Sequence, residues 1–499
     1  SEKRSREVGV RKVLGAGKSS LVAQFIGEAL FMSLLAMLAA IVMMTLALPA
    51  FNLLVQKNLS LGLDNPVHWT ALILLTLVCG LVAGSYPSFY LSSFNPVFVI
   101  KGMKRKTGSA PLIRKSLVVL QFTVSITLII GTIVIYQQIK HVKNRNLGYN
   151  KDGLVQMQLN GSMQKNFAAI RQDFIQSGLV ENAALADHES LTSGNNTSGI
   201  TWPGKDPNSQ IVISQRLVSP EYMATMGMKL TEGRDFEVTD QVRINDKGRP
   251  ADSSQFYHVI ITASMARLLG KGRVIGKTME YGSNFGQMHL VVEGVVKDYV
   301  FGDLYGTGGE PVVFYCVPRA TTLMYVRIKP NTPPEKALAG MDAILKKENP
   351  GYPFEYRFVD DQFNDMFSGE MLIGKLSGVF TALAIAISCL GLFGLAAFTA
   401  ERRIKEIGIR KVLGASVFRI SGTLSGEFLR LVFISCLISF PLAWWAMHNW
   451  LQNYAYHIDM SWWIFFIAGF MAILIALITI SFQAIKAAIA NPIKALRTD

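Results

Sequence analysis

Charge is in short supply in this chain. Asp, Glu, Lys and Arg make up 17% of its 499 residues, and acids are the scarcer kind, 35 against 49 bases. Half of the residues are hydrophobic, which together with long apolar runs excludes an ordinary soluble protein. The formal net charge of +14 does not indicate a nucleic-acid partner. The positive charge gathers in short segments beside apolar runs, and neither zinc-finger spacing nor aromatic-basic interleaving is present. Cysteine is scarcer still, with four residues. Cys79, Cys389 and Cys436 lie in apolar runs and read as small hydrophobes, while Cys316 stands alone in a polar region, so no disulfide framework follows.

Catalytic spacings are missing as well. The seven histidines make no HExxH motif and no i,i+4 pair. His188, between Asp187 and Glu189, reads as part of a solvated polar cluster in preference to a metal site. There is no GxSxG, and Ser162 with Lys165 has the SxxK spacing without a partner motif. The peptide LGAGKSS (Leu14 to Ser20) looks like a phosphate loop, but Lys12 stands where Walker A needs glycine and no apolar strand leads into it. No catalytic, metal-binding or cofactor-binding residue is assigned to this chain. Nor do the apolar runs hold acids or histidines at their centres, and Lys375 and Arg430 lie near expected ends where they can snorkel. An ion or proton path is therefore disfavoured against spans that act as packing surfaces and levers.

What the chain does have is a set of apolar runs that meet the ~20 residues a bilayer requires. Residues 24–92 read as two transmembrane helices, 93–115 as a basic cytoplasmic loop, 116–140 as a third span, 366–400 as a fourth, 427–485 as two more, and 486–499 as a cytoplasmic tail. Across residues 141–365 the long apolar runs stop and short β-rich segments alternate with helical ones. Strands are expected at 154–159, 180–186, 258–262, 289–296, 312–317 and 324–328, helices at 163–176 and 334–348, and a loop at 190–209, which is rich in Gly, Ser, Asn and Thr. The fold class expected is an α-helical integral membrane protein of about six transmembrane helices with one inserted α+β extracytoplasmic domain. Orientation follows from the bases. Lys101, Lys104, Arg105, Lys106 and Arg114 follow the second span and Arg402, Arg403, Lys405, Arg410 and Lys411 follow the fourth, whereas the gap between the fifth and sixth has none. Trp444, Trp445, Trp450, Trp462 and Trp463 gather around that last gap, as interfacial aromatics do.

The chain also repeats itself. Glu2 to Ala16 (EKRSREVGVRKVLGA) and Glu401 to Ala415 (ERRIKEIGIRKVLGA) are identical at ten of fifteen positions, at a constant offset. Each copy is followed by a glutamate (Glu28, Glu427), two apolar runs, and Asn-Pro (Asn95-Pro96, Asn491-Pro492) before a basic tail. Within each copy an acid precedes a base at i,i+4, Glu7 with Arg11 and Glu406 with Arg410, the favourable order on a helix. Val10, Val13 and Leu14, and Ile409, Val412 and Leu413, make a narrow apolar stripe. Gly15 and Gly414 stand at C-cap positions, while Gly9 and Gly408 point to close backbone approach. Residues 1–18 and 401–420 thus read as short basic amphipathic helices beside spans. Attraction to anionic lipid would explain the bases, but it needs neither the repeated glutamate nor the glycine.

The E-[IV]-G-[IV]-R-K-[VL]-L-G-A motif in both copies, and the order of span, domain, span, basic helix, span, span, resemble the MacB/FtsX-like permeases of ABC transporters, in their long duplicated form. Glu221 to Phe236 (EYMATMGMKLTEGRDF) and Val291 to Tyr299 (VVEGVVKDY) look like the MacB-type periplasmic core. The resemblance implies that the repeated helix is a cytoplasmic coupling element set against a separate ABC-type ATP-binding subunit. Its contacts would be Glu7, Gly9, Arg11, Lys12, Leu14 and Gly15, and Glu406, Gly408, Arg410, Lys411, Leu413 and Gly414. ATP and Mg would be used by that partner and no cofactor bound by this chain. Further partners implied are membrane lipids and envelope or periplasmic proteins, with no nucleic acid. The site implied is the bacterial inner membrane, with the large domain outside and the C-terminus in the cytoplasm. Complete duplicated permeases have eight spans and two such domains, so the expectation is that a further segment precedes Ser1. The function implied is a non-enzymatic permease subunit for efflux, extraction or mechanotransmission. The alternative is a membrane receptor or regulator that senses a ligand or activates a cell-envelope enzyme without transport.

Overall fold

The computed structural model describes residues 14, 17–92, 110–242, 256–283, 286–306, 308–413 and 415–489. Among them, six helices are long and apolar enough to cross a membrane. The first three are α1 (Lys18–Val55), α2 (Pro66–Ser92) and α3 (Ala110–Lys143). Helix α1 stops where Gln56 takes a left-handed conformation and returns its N–H to Asn52 O. Helix α2 starts on Pro66, suited to a first turn, with the Asn65 side chain accepting from Val67 N at 2.9 Å. The two helices meet at Gly80 and Gly84. A Cβ on Gly80 would lie 2.6 Å from Leu30 Cδ2, and one on Gly84 2.9 Å from Ala29 Cβ. This is the close approach that small residues four apart allow in lipid.

The inserted domain runs in order through β1 (Leu154–Gln158), α4 (Phe167–Gln176), β2 (Val180–Ala186), β3 (Asn195–Thr197), β4 (Ile200–Thr201), β5 (Ile213–Val218), α5 (Tyr222–Met226), β6 (Leu230–Gly233), β7 (Phe256–Thr262), α6 (Ala263–Leu268), β8 (Thr278–Ser283), β9 (Gly286–Val296), β10 (Val312–Cys316), β11 (Leu323–Ile328), α7 (Pro334–Glu348), β12 (Arg357–Phe358) and α8 (Val359–Asp365). One sheet takes all the strands in the order β12-β1-β11-β2-β5-β10-β7-β9-β8-β4, with β3 on β5 and β6 on β9. Among the described residues only β5/β10 and β7/β9 pair in parallel. Alternate residues of β11 serve opposite faces. Met324, Val326 and Ile328 join Ile170 and Phe174 of α4 and Met341 and Leu345 of α7, whereas Tyr325 faces Tyr222, Phe363 and Phe367. Because both faces are covered, β10 and β11 are buried throughout and read as unbroken apolar runs.

Strands and helices at 180–186 and 334–348 have the bounds expected, while the helix expected from 163 begins at Phe167 after a turn. The stretch 190–209, expected as a loop, carries β3 and β4. Asn195–Thr197 pairs with β5 and Ile200–Thr201 with β8, so sheet partners override a turn-like composition. Strand β5 escaped notice because Arg216 interrupts its apolar pattern. That side chain is buried and donates to Tyr299 Oη at 3.0 Å and to the carbonyls of Glu189 and Thr192.

The chain then continues as α9 (Ser368–Arg402), α10 (Ile404–Val412), α11 (Val417–Leu451) and α12 (Trp463–Ile489). Helices α3 and α11 overrun the expected spans, since hydropathy marks the hydrocarbon-facing part and helical turns continue into water, while α9 is shifted by two residues from the expected 366–400. By its internal contacts the chain forms two compact units. One comprises Ser1–Val124, Leu383–Ser435 and Ile473–Asp499, the other Ser125–Ala382 and Cys436–Ala472. In the first, Ser435 Oγ donates to Val119 O at 3.1 Å. In the second, Thr132 and Thr381 hydroxyls bond at 2.9 Å.

The two peptides Glu221–Phe236 and Val291–Tyr299 meet in space. Strand β6 pairs with β9, setting Gly233 opposite Gly294. Gly233 has φ +77°, and a Cβ there would strike Glu293 O. Arg234 forks onto Asp240 at 2.6 and 3.0 Å, and Glu293 accepts from His258 Nδ1 at 2.7 Å. The Arg234 hydrogen bonds hold the buried Asp240 carboxyl below the usual carboxylate range. A carboxyl depressed in the fold contributes stability above its unfolded pKa and loses it as pH falls through the folded value. Asp240→Asn is therefore expected to cost about 1–3 kcal/mol near neutral pH, with the difference from wild type shrinking below about pH 4. Thermal melts of the full chain across pH check this, and a pH-independent difference would contradict it.

Candidate functional site

Helix α10 holds the second copy of the repeat. Arg403, at φ −97° and ψ 12°, breaks the path from α9, and Ile407 N then resumes helical bonding to Arg403 O at 2.8 Å. Ile407 and Gly408 turn inward and are buried. Gly408 adds no side chain to that inward face. The opposite face carries Glu406 and Arg410, which pair at 2.7 Å and are each about half exposed. It also carries Ile409, 52% exposed, and Leu413, 79% exposed. Lys411 is half-buried. The helix closes with Ala415 N donating to Arg410 O at 2.9 Å. A solvent-facing pair of large aliphatics around an ion pair is a surface suited to docking.

Of the other residues singled out, Gly414 and the first-copy residues Glu7, Gly9, Arg11, Lys12 and Gly15 lie outside the described residues. Leu14 is in a turn and 80% exposed, as its counterpart Leu413 is. Of the peptide resembling a phosphate loop, Lys18 to Ser20 form the start of α1, a membrane-length helix. Beside α10, Arg403 reaches Glu427 of α11 at 2.7 Å. From sequence Glu427 marks only the start of the run after the repeat, and the fold supplies its partner. Arg114 and Arg402 both lie over the Phe398 ring, at 4.3 and 5.2 Å.

In the second compact unit, the chain between α11 and α12 docks onto the inserted domain. Gln138, near the domain end of α3, is buried and uses both ends of its amide. It donates to Tyr456 O at 3.0 Å and accepts from Ile458 N at 2.9 Å. Tyr456 stacks on His141 at 4.5 Å and takes the Arg145 guanidinium at 4.2 Å. Its N–H donates to Tyr305 O at 2.7 Å. Arg145 in turn holds the carbonyls of Leu304 and Gly306, at 3.2 and 2.6 Å. Tyr305 packs against Tyr454 at 4.6 Å and Phe367 at 5.9 Å. One tyrosine thus joins the helical stalk of α3, a domain loop and the α11–α12 connection.

The polar cluster around His188 is not solvated as expected. Asp187 is buried, His188 Nδ1 lies 2.9 Å from its carboxylate, and burial pushes that carboxyl above its usual range. Glu189 accepts from Gln156 at 3.1 Å. Ser162, of the SxxK spacing, donates to Glu348 O at 3.2 Å and to Asn349 Oδ1 at 3.3 Å, which ties it to the C-terminal end of α7. Among the described residues no group of three metal-ligating side chains comes together.

Six membrane-length helices and one inserted mixed α/β domain define a multi-span membrane protein with a large domain outside the bilayer. The FtsX-like permease C-terminal model matches residues 1–96 and again 378–492, and the MacB-like periplasmic core domain model matches 116–344. The chain belongs to the MacB/FtsX-like permeases of ABC-type transporters. A curated relative, the macrolide export ATP-binding/permease protein MacB of Chromobacterium violaceum, is 22% identical over 237 residues. The match takes in 44% of this chain and 32% of that protein, so the chain spans about a third of the relative's length. Among solved structures, the periplasmic region of MacB from Actinobacillus actinomycetemcomitans is 14% identical, over 45% of this chain and 97% of that one, with a TM-score of 0.28. The extracellular domain of the noncanonic ABC-type transporter YknZ from Gram-positive bacteria is 15% identical, over 41% and 97%, with a TM-score of 0.25.

The tyrosine junction makes a direct prediction. Gln138→Leu strands Tyr456 O and Ile458 N, a loss of about 1–3 kcal/mol for two hydrogen bonds. Amide exchange across residues 454–458 should therefore speed about tenfold or more while the α4–α7 face of the domain keeps its protection. Wild-type exchange in that segment would show that the junction does not depend on Gln138.

Proposed function

We propose that the chain is the membrane subunit of an ABC-type complex, which couples ATP hydrolysis by a separate subunit to its periplasmic domain for efflux, extraction or mechanotransmission. The observation that carries this is the outward face of α10, where Ile409 and Leu413 stand exposed around the Glu406–Arg410 pair. An isolated surface ion pair stabilises little, and exposed aliphatics stabilise a monomer not at all, so the face is better explained by a protein that covers it. The ATP-binding subunit is that protein, and ATP and Mg belong to it. The phosphate-loop resemblance at Leu14–Ser20 leads into a span and not into a nucleotide fold, which supports a chain with no enzymatic role of its own.

On this reading the basic ends of the spans and the C-terminal tail lie in the cytoplasm, the membrane is the bacterial inner membrane, and the domain meets envelope or periplasmic partners. The spans act as levers. The regulator reading shares this machinery, and the junction around Tyr456 favours it as much as transport. The two part on whether ATP turnover moves a substrate across vesicles.

Reversing the charges with Glu406→Lys and Arg410→Glu together should keep the spans folded and abolish stimulation of the ATPase. Co-purification of the ATPase at wild-type stoichiometry, with undiminished activity, would remove the docking role from α10.

A further inference from the structure

The Arg403–Glu427 pair lies outside the docking face and joins two different helices. Arg403 sits in the break between α9 and α10, and Glu427 lies on α11, with the charged atoms 2.7 Å apart and both side chains about one-third exposed. A pair this open to water adds little to stability. Its worth is geometric, because it ties the start of α10 to the body of the next helix. The repeat marks both partners. Arg403 corresponds to Arg4 and Glu427 to Glu28 at the same offset, 403 − 4 = 427 − 28 = 399, and each is the identical residue in both copies. A glutamate that served only its own helix would not need an arginine kept 24 residues away in each copy, the distance given by 427 − 403 and 28 − 4.

We infer that Arg403 and Glu427 are positioning residues, forming a strut that passes displacement of α10 into α11. This rests on α10 being the docking helix. When the ATP-binding subunit pushes on Ile409 and Leu413, α10 has two routes to the spans. One is its inward face at Ile407 and Gly408, and the other is the strut. The inward face is apolar and can slide. The ion pair fixes a single register between Arg403 and one turn of α11, a helix continuous from Val417 to Leu451 that leads into the segment around Tyr456. Breaking the strut should leave docking intact and lose transmission.

The test uses the tagged full chain purified in detergent with the ATP-binding subunit that accompanies it, and ATP/Mg as the probe. The readouts are ATPase stoichiometry and the ATP-dependent change in amide exchange at residues 452–462. Arg403→Glu and Glu427→Arg should each retain the wild-type stoichiometry and reduce the ATP-dependent change at least tenfold. The double variant with the charges exchanged should restore it, and Arg403→Lys should keep most of it. The strut is overturned if the single variants respond like wild type. It is also overturned if the exchanged pair fails to restore the response at an unchanged melting temperature. If the wild-type chain brings down no ATPase, the docking reading itself fails and the strut with it. That outcome is distinct from a wild-type complex whose variants are indifferent.

Discussion

A hydrocarbon layer about 30 Å thick offers no water to a backbone amide or a charge, and that constraint sorts this chain's residues. Inside the spans it leaves helices that satisfy themselves and meet through small or hydroxyl side chains. Gly80 and Gly84 admit α1, Thr132 bonds Thr381, and Ser435 bonds a carbonyl of α3. Everything ionised is pushed to the ends. At one end of the spans are the Glu406–Arg410 and Arg403–Glu427 pairs. In the other compact unit are Arg145 and Lys143, the latter donating to Asn364 at 3.0 Å.

The inserted domain follows a different constraint. Its sheet is covered on both faces, so a charge inside it must be satisfied by fixed dipoles. Arg327 donates to the carbonyls of Thr225, Asp152 and Asn150 at 2.9, 2.8 and 2.7 Å. Arg216 does the same with Tyr299 and two carbonyls. These buried arginines staple loops onto the sheet, at the cost of a rigid interior. A rigid body of this kind suits the lever mechanism proposed above.

How much of this could be read from the letters differs by feature. The repeat could, because identical residues at one offset need no structure to be seen, and so could β10 and β11, whose burial on both faces makes plain apolar runs. Strand β5 could not, because Arg216 looks like a solvated charge until its partners at Glu189, Thr192 and Tyr299 are known. Strands β3 and β4 could not, since Asn and Thr signal a loop and only pairing with β5 and β8 makes them strands. The junction at Tyr456 was hidden for another reason: Gln138 lies 318 residues away in sequence, and a polar residue near a span end gives no hint of its partner. In α10 the ion pair follows from spacing, while burial of Ile407 against exposure of Ile409 needed the fold.

The proposed coupling requires the repeated basic helix and the inserted domain to face opposite compartments. Leu413 and Val238, 79% and 71% exposed, report the two places. Each is replaced by cysteine in the full chain and labelled with a membrane-impermeant thiol reagent, first in intact spheroplasts and then in inverted vesicles, with the wild-type chain as the blank for its four native thiols. The account predicts that Val238→Cys labels only in spheroplasts and Leu413→Cys only in inverted vesicles. Labelling of both positions from the same side would contradict it.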